Sequence, residues 1–547
     1  MKEEASLPAE GRGEARRKEQ GKIIRFAFTV GSFTMLSRFL GMLRDILTAS
    51  LFGTSLAFSA FSVAFQIPNL FRALFGEGAL SAALVPVFMR TKADEGPAAA
   101  WLMARRVLTL AGTVLLVVTA LGVLGMSAAL PWTEAGGKAA WVLKLGRVMF
   151  PYVFFICMAA LSMALLNAHK EFSRAAFTPA LMNVTWILSV LLVIPHVRGG
   201  VERQIMALAW TVFAAGALQM LYQAPGLWKV GWRPGLDFAW GDARVRRVLL
   251  LMGPAALGMA LNQVNVMLSS ILAIHAGEWA PAALFYATRL IYFPQGILAV
   301  SLSTVLLPVL SAAAAKGDRE EMAAAVHHGL RTLLFVMTPA AAGLFALSHP
   351  LVRMLLERGN FGEASTMLTA RALSVFAPGL LVFCLAKVFV PAFYALQDTK
   401  TPVKIGMGCV LVTLCCNVLA VCTLPEYWRH AGMAGATVVS ECVNGVALAV
   451  LLRRRIGPFG LPAVARGFAR VLVAAAAMAV AAWAVERGLG GWLAGGGAVP
   501  LRLQPWCSTF PAVALGAAVY VALARALRCP ELGFVLDAFR KKRAKAG

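Results

Sequence analysis

Four arginines, Arg38, Arg44, Arg72 and Arg289, lie inside runs of sequence that are otherwise apolar. A guanidinium cannot shed its charge by losing a proton. Each would cost about 2.5–3.5 kcal/mol at the centre of a bilayer helix, roughly 10–14 kcal/mol together. Such charges persist in a membrane only where they face a wet cavity or a partner. The acids nearby, Asp45 and Glu77, are too few to cancel four cations. The chemistry implied is capture of an anion, and the planar fork of arginine suits phosphate oxygens taken two at a time.

Local spacing leaves alternatives open. In SRFLGMLRD (37–45), a helix places Ser37 within about 20° of Arg44, and Arg38 within about 20° of Asp45. Gly41 between them would admit a ligand or another backbone. Arg38 and Asp45 could form a structural ion pair, which would leave Arg44 without a local partner and available to a ligand. Arg72 follows Asn69, with Glu77 five residues on; it could pair with Glu77 or with Asp45. Arg289, in FYATRLIYFP (285–294), has no acid for many positions on either side. Ser37, Asp45, Ser59, Asn69 and Glu77 are the supporting polar groups of the expected cavity. Arg371, Lys387 and Arg525 lie nearer the ends of their spans and can snorkel. Asp398 and Glu441 are candidates for cation coupling, although Asp398, in QDTKTP, reads better as an interfacial turn.

The elements that must position these groups are membrane spans. The 547 residues are 59% hydrophobic and 14% charged, well below the quarter charged that is typical of a soluble domain. Apolar stretches approaching the ~20 residues needed to cross a bilayer recur along the chain. They predict fourteen spans: 27–48, 57–88, 107–131, 146–168, 176–196, 205–226, 248–275, 282–312, 329–349, 365–397, 403–424, 432–452, 467–486 and 506–527. The fold class expected is an all-α polytopic membrane protein.

Net charge of +25 raises the possibility of nucleic acid, but its distribution argues otherwise. With both termini inside, about two-thirds of the Lys and Arg fall in cytoplasmic segments, as the positive-inside rule requires. The basic tails then read as topology signals beside anionic headgroups. The first 25 residues lack the apolar core of a signal peptide. The nine cysteines lack metal-site spacing or a disulfide framework, and no metal site or cofactor is expected. No pair of closely spaced acids marks a loop for metal or general-base work, so a transporter is expected rather than an enzyme.

An internal repeat organises the spans. LSAALVPVF (80–88) and LSTVLLPVL (302–310) share Leu-Ser and a proline at the seventh position, and Pro151 and Pro378 open a second related pair. Both offsets carry six spans, implying two six-helix lobes of like orientation around a central cavity. The expected division is a basic tail (1–25), an N-terminal lobe (26–228), a cytoplasmic linker (229–247), a C-terminal lobe (248–455), two extra helices (456–528) and a basic tail (529–547). Span 2 is too long for a single crossing and holds Pro68, Gly76 and Gly78; span 8 repeats this with Pro294, Gly296 and Pro308. Both are expected to be discontinuous helices beside the cavity.

The stretch SRFLGMLRD…FGTSLAFSAFSVAFQIPNLFRALFGEGALSAALVPVF (37–88) resembles the MurJ (MviN) family of lipid II flippases. So do YATRLIYFPQGILAVSLSTVLLPVLS (286–311), LLNAHKEFSRAAFTPALMN (165–183) and FYALQDTKTPVKI (393–405). The likeness runs in order along nearly the whole chain. It implies the fold of the multidrug/oligosaccharidyl-lipid/polysaccharide exporter superfamily. It also implies movement of the undecaprenyl-diphosphate-linked peptidoglycan precursor, lipid II, from the inner to the outer leaflet of the cytoplasmic membrane by alternating access. Arg38, Arg44, Arg72 and Arg289 match the family's cavity arginines, which are thought to meet the diphosphate and sugar headgroup. Asp45 and Glu77 match its acids. The two extra helices are thought to form a groove for the lipid tail. Membrane lipids are implied as partners, with room for cell-wall synthesis proteins, and the transporter is expected to act as a monomer. Ser59, Gln66 and Thr288 depart from charged residues found in many or some members, which puts carboxylate-based coupling in doubt. The alternatives within the fold are a flippase for another undecaprenyl-diphosphate oligosaccharide and a multidrug or cation antiporter; a scaffold that transports nothing is the remaining class.

Overall fold

The computed structural model describes residues 32–33, 35–73, 79–496, 500 and 503–533, with side chains given for all of these except 79–82, 254–262, 297–301, 303–304, 494 and 496. Glu77, Gly76 and Gly78, and most of both basic tails, lie outside the described residues. The described residues are helical apart from short turns and an extended segment over 232–239, and no strand occurs among them.

Helix α1 covers 35–52. It is followed by α2 (Leu56–Phe71), α3 (Ala79–Asp94), α4 (Pro97–Ala129), α5 (Lys138–Met149), α6 (Tyr152–Ala168), α7 (Phe172–Leu188) and α8 (Gly200–Lys229). The second half of the chain holds α9 (Ala243–Ala276), α10 (Ala280–Lys316), α11 (Arg319–Ala346), α12 (Ser348–Leu356), α13 (Glu363–Ala395), α14 (Lys400–Thr423), α15 (Glu426–Ile456), α16 (Leu461–Gly496) and α17 (Gln504–Ala526). Nine helices among the described residues are long and apolar enough to cross a membrane, or ten if α5 and α6, bent by 43° at Pro151, are one span. The other expected spans fall on α1, on α2 with α3, on α9 and on α10.

Two expectations about breaks need correction. Span 8 is not interrupted: α10 runs as one helix from Ala280 to Lys316 through Pro294 and Pro308. A proline in a membrane helix forfeits one backbone hydrogen bond. Breaking the helix in lipid would forfeit several more, so the helix continues. The second repeat pair is also asymmetric. Pro151 stands at the bend before α6, whereas Pro378 lies within the continuous α13.

The chain forms two compact units, one comprising residues through Thr48 and Ala64–Gln263, the other Ala49–Val63 and Val264 onward. The division between these units falls within α9. In the first unit α6 is the central element; Cys157, Leu161, Leu165 and Leu166 are fully buried. Its lower half joins Leu84, Phe88, Met103, Val245 and Val248 in one apolar core. At Gly216 of α8 a Cβ would come within 2.5 Å of the Tyr152 ring, so only glycine lets α8 lie this close to α6.

In the second unit α13 is central, with Leu373, Leu380, Val388 and Phe393 fully buried. Helices α16 and α17 pack on α11 through Phe335, Val471, Met478 and Tyr520, and the Tyr520 hydroxyl donates to the Phe335 carbonyl. The tip between α1 and α2 also belongs here. The Asn360 backbone N–H donates to the Ser50 carbonyl at 2.8 Å, and its side-chain amide to that of Leu51 at 2.6 Å. These bonds satisfy carbonyls that the end of α1 leaves without helical partners.

Candidate functional site

The first unit assembles a polar site on α1 and α7. Phe33, Ser37, Gly41, Arg44 and Thr48 recur every three or four residues, so they share one face of the helix. That face meets Phe177, Asn183 and Trp186 of α7. Gly41 lies beside the Asn183 side chain, which donates through Nδ2 to the Ser37 carbonyl at 2.9 Å.

Arg44 is held from three sides. Its Nε and Nη2 both donate to Oδ1 of Asp45, at 2.9 and 2.7 Å. Nη1 donates to Oδ1 of Asn183 at 3.1 Å, and the guanidinium lies 4.8 Å from the centre of the Trp186 ring. The Trp186 indole donates to the Thr48 hydroxyl, which donates in turn to the Arg44 carbonyl. The side chains of Arg44 and Asp45 are 11% and 7% exposed, so the pair is largely withdrawn from water. Guanidinium carries five N–H donors. Three are engaged by Asp45 and Asn183, which leaves two without a partner among the described residues.

This corrects two expectations. Asp45 pairs with its neighbour Arg44, and no ion pair joins Arg38 to Asp45 among the described residues. Arg44 accordingly does have a local acidic partner. Helical spacing places only Cα positions, whereas a guanidinium on a four-bond stem can curl back one residue when a second helix supplies Asn183 and a ring to hold it there. Ser37 joins the site through its carbonyl, and Arg38 is half-buried off the shared stripe.

Arg72 directly follows α2 and donates through Nε to Oδ1 of Asn69 at 3.0 Å. The expected partner Glu77 lies outside the described residues. Ser59, expected to line the cavity, is fully buried instead, its hydroxyl oxygen without a partner among the described residues. A neutral serine is the group that such a dry position tolerates; an aspartate there would carry the cost of a desolvated charge. In the second unit Arg289 is half-buried with its guanidinium 4.7 Å from the centre of the Phe285 ring. Thr288 turns its hydroxyl back onto the Leu284 and Phe285 carbonyls. Asp398 accepts from the backbone N–H and hydroxyl of Thr401 at the start of α14, the turn-forming role expected of it.

Sequence reasoning missed Asn183, Trp186 and Thr48. The available signal was an asparagine and a tryptophan one turn apart in the apolar span of α7; a lone polar residue in such a span usually has a partner across a helix interface.

The arrangement presents an oriented cation, half neutralised by a carboxylate, with N–H donors in reserve. Residues 48–495 match the profile of the family described as "Lipid II flippase MurJ". A Burkholderia cenocepacia protein named "Lipid II flippase MurJ" is 37% identical over 79% of this chain and 84% of its own length. A solved structure titled "Lipid II flippase MurJ, inward closed conformation" superposes with a TM-score of 0.71 at 22% identity, covering 92% of this chain and 98% of that one. An inward-facing multidrug resistance transporter of the MATE family and MOP superfamily superposes at 0.66 and 15% identity, over 79% and 98%. The two structures, below 25% identity, speak to the fold alone, but the profile and the Burkholderia protein go further: the chain belongs to the MurJ family of lipid II flippases.

Proposed function

We propose that this chain moves lipid II, an undecaprenyl-diphosphate-linked peptidoglycan precursor, from the inner to the outer leaflet of the bacterial cytoplasmic membrane. The observation that carries the reading is membership of the family over residues 48–495. Relatives at 37% and 34% identity bear the flippase name, whereas the multidrug transporters are about 15% identical and support the architecture without a substrate.

In this reading Arg38, Arg44, Arg72 and Arg289 engage the anionic diphosphate and its sugars. Arg44 is oriented in advance. Asp45, Asn183 and Trp186 fix its plane, so little side-chain entropy is lost on binding, and two N–H groups remain to donate to phosphate oxygens. Asp45 also sets a limit on affinity. Paired with a carboxylate, Arg44 attracts an anion less strongly than a bare cation would, which favours release on the far side. The lipid tail stays in the bilayer, where α16 and α17 present exposed apolar side chains such as Val473, Val480 and Phe510.

Both termini are cytoplasmic, and transport proceeds by alternating access without a catalytic step. The membrane potential, positive outside, draws an anionic headgroup outward at about 2.3 kcal/mol per charge per 100 mV. Ser59 and Thr288 are neutral, so this reading routes no ion coupling through them. The test is Arg289→Ala in cells that depend on this gene, with lipid II measured on the outer membrane face. Loss of outward-facing lipid II with normal protein levels is expected; a normal amount would remove Arg289 from substrate handling.

A further inference from the structure

The linker between α8 and α9 is an extended strap with a purpose beyond connection. Residues 232–239 adopt no helix, yet they are pinned at three points within the first unit. Trp232 packs against the apolar core, and its backbone N–H donates to the Leu227 carbonyl. Asp237 accepts from Arg106 at 3.0 Å, while its own backbone N–H donates to the Thr109 hydroxyl. Asp242 accepts from Arg106 and from Arg244, which reaches on to Glu95 at 2.8 Å.

Between and beside these pins, alternate residues project outward. Leu236 is 76% exposed, Phe238 59% and Trp240 40%, with the two rings in edge contact. A pinned backbone cannot fold these side chains away, so the exposure is built in. Leu249, Leu250 and Leu251 near the start of α9 are also exposed, so apolar exposure continues from the strap into the helix that the sequence predicts to span the membrane at 248–275. Arg233, Arg246 and Arg247 flank it, all exposed. The strap's acids are committed to Arg106 and Arg244, and Arg246 and Arg247 have no carboxylate partner among the described residues.

Large apolar and aromatic side chains, beside arginines without a carboxylate partner among the described residues and next to a helix expected to span the membrane, match the chemistry of a bilayer interface. We propose that residues 232–247 form a membrane-surface anchor. Leu236, Phe238 and Trp240 enter the headgroup layer, and Arg233, Arg246 and Arg247 bind the headgroups of anionic phospholipids. Such an anchor serves the transporter whichever substrate it carries. A protein partner could also cover apolar residues, but it would not require continuity with the exposed apolar start of α9.

The test uses the full-length protein in vesicles of phosphatidylethanolamine with either phosphatidylglycerol or phosphatidylcholine. A trace of the second lipid carries a photoactivatable group near its headgroup, and labelled peptides are mapped. The wild-type strap should be labelled by the phosphatidylglycerol probe several-fold more than by the phosphatidylcholine probe. Arg246→Gln with Arg247→Gln should lower that labelling by about fivefold for each charge removed. Equal labelling by the two probes would overturn anionic recognition. A strap left unlabelled while lipid-facing peptides of α9 in the same sample are labelled would overturn the anchor and assign the surface to a protein partner. The comparison of the two lipids needs no variant, so a poorly folding double mutant leaves the test intact.

Discussion

Replacing Asp45 by asparagine should expose how the first unit holds Arg44. The two side chains are 7% and 11% exposed and 2.7 Å apart at Nη2 and Oδ1. At an effective dielectric constant of ~20, unit charges about 4 Å apart attract by about 4 kcal/mol. Removing one member of such a pair strands the other charge out of water, at a cost of about 3–5 kcal/mol. Asp45→Asn keeps the shape and loses the charge that faces Arg44, and Arg44→Gln removes the cation beside Asp45. Each alone should therefore destabilise by about that amount, whereas the double variant, a neutral pair, should cost less than either. The assay is the unfolding free energy in mixed micelles for the four members of the cycle, giving a coupling of several kcal/mol. Costs that add to within about 0.5 kcal/mol would refute the reasoning and mean that Arg44 and Asp45 are solvated independently.

Three further outcomes are expected. Asn183→Leu removes the acceptor of Arg44 Nη1 and the donor to the Ser37 carbonyl; a loss of about 1–3 kcal/mol of stability and weaker lipid II binding should follow, with Asn183→Asp restoring the acceptor and part of the binding. Gly216→Val drives a side chain into the Tyr152 ring and should cost about 1–3 kcal/mol, seen as a lower thermal midpoint in detergent. The hydrogen bond from Arg244 holds the Asp242 carboxyl well below the usual carboxylate range. Its contribution is therefore complete above the unfolded value of ~3.9 and is lost as the pH falls below it. The wild type should lose more thermal stability than Asp242→Asn on acidification below about pH 4, and equal losses would contradict the assignment.

Much of the fold could be read from the chain, because in a bilayer the apolar runs and the spans are nearly the same thing. The four arginines stood out for the same reason. What escaped was decided by neighbours distant in sequence. Arg44 turns to Asp45 because Asn183 and Trp186, about 140 residues on, leave it that position. Ser59 is buried because of packing that its own helix does not reveal. The continuity of α10 through Pro294 and Pro308 reflects the cost of exposing backbone to lipid rather than any local preference. The spacing within SRFLGMLRD could offer the possible pairs but could not choose among them.

The most direct measurement is native mass spectrometry of the purified protein titrated with lipid II, alongside another undecaprenyl-diphosphate sugar as competitor. The wild type should bind lipid II and resist the competitor. Arg44→Ala should bind roughly tenfold more weakly or worse, in line with losing a charge-assisted bond of about 1.5–3 kcal/mol. Undiminished binding by a folded Arg44→Ala protein would contradict recognition of the precursor's diphosphate at this guanidinium, and displacement of lipid II by the competitor at equal concentration would contradict selectivity for lipid II over other undecaprenyl-diphosphate sugars.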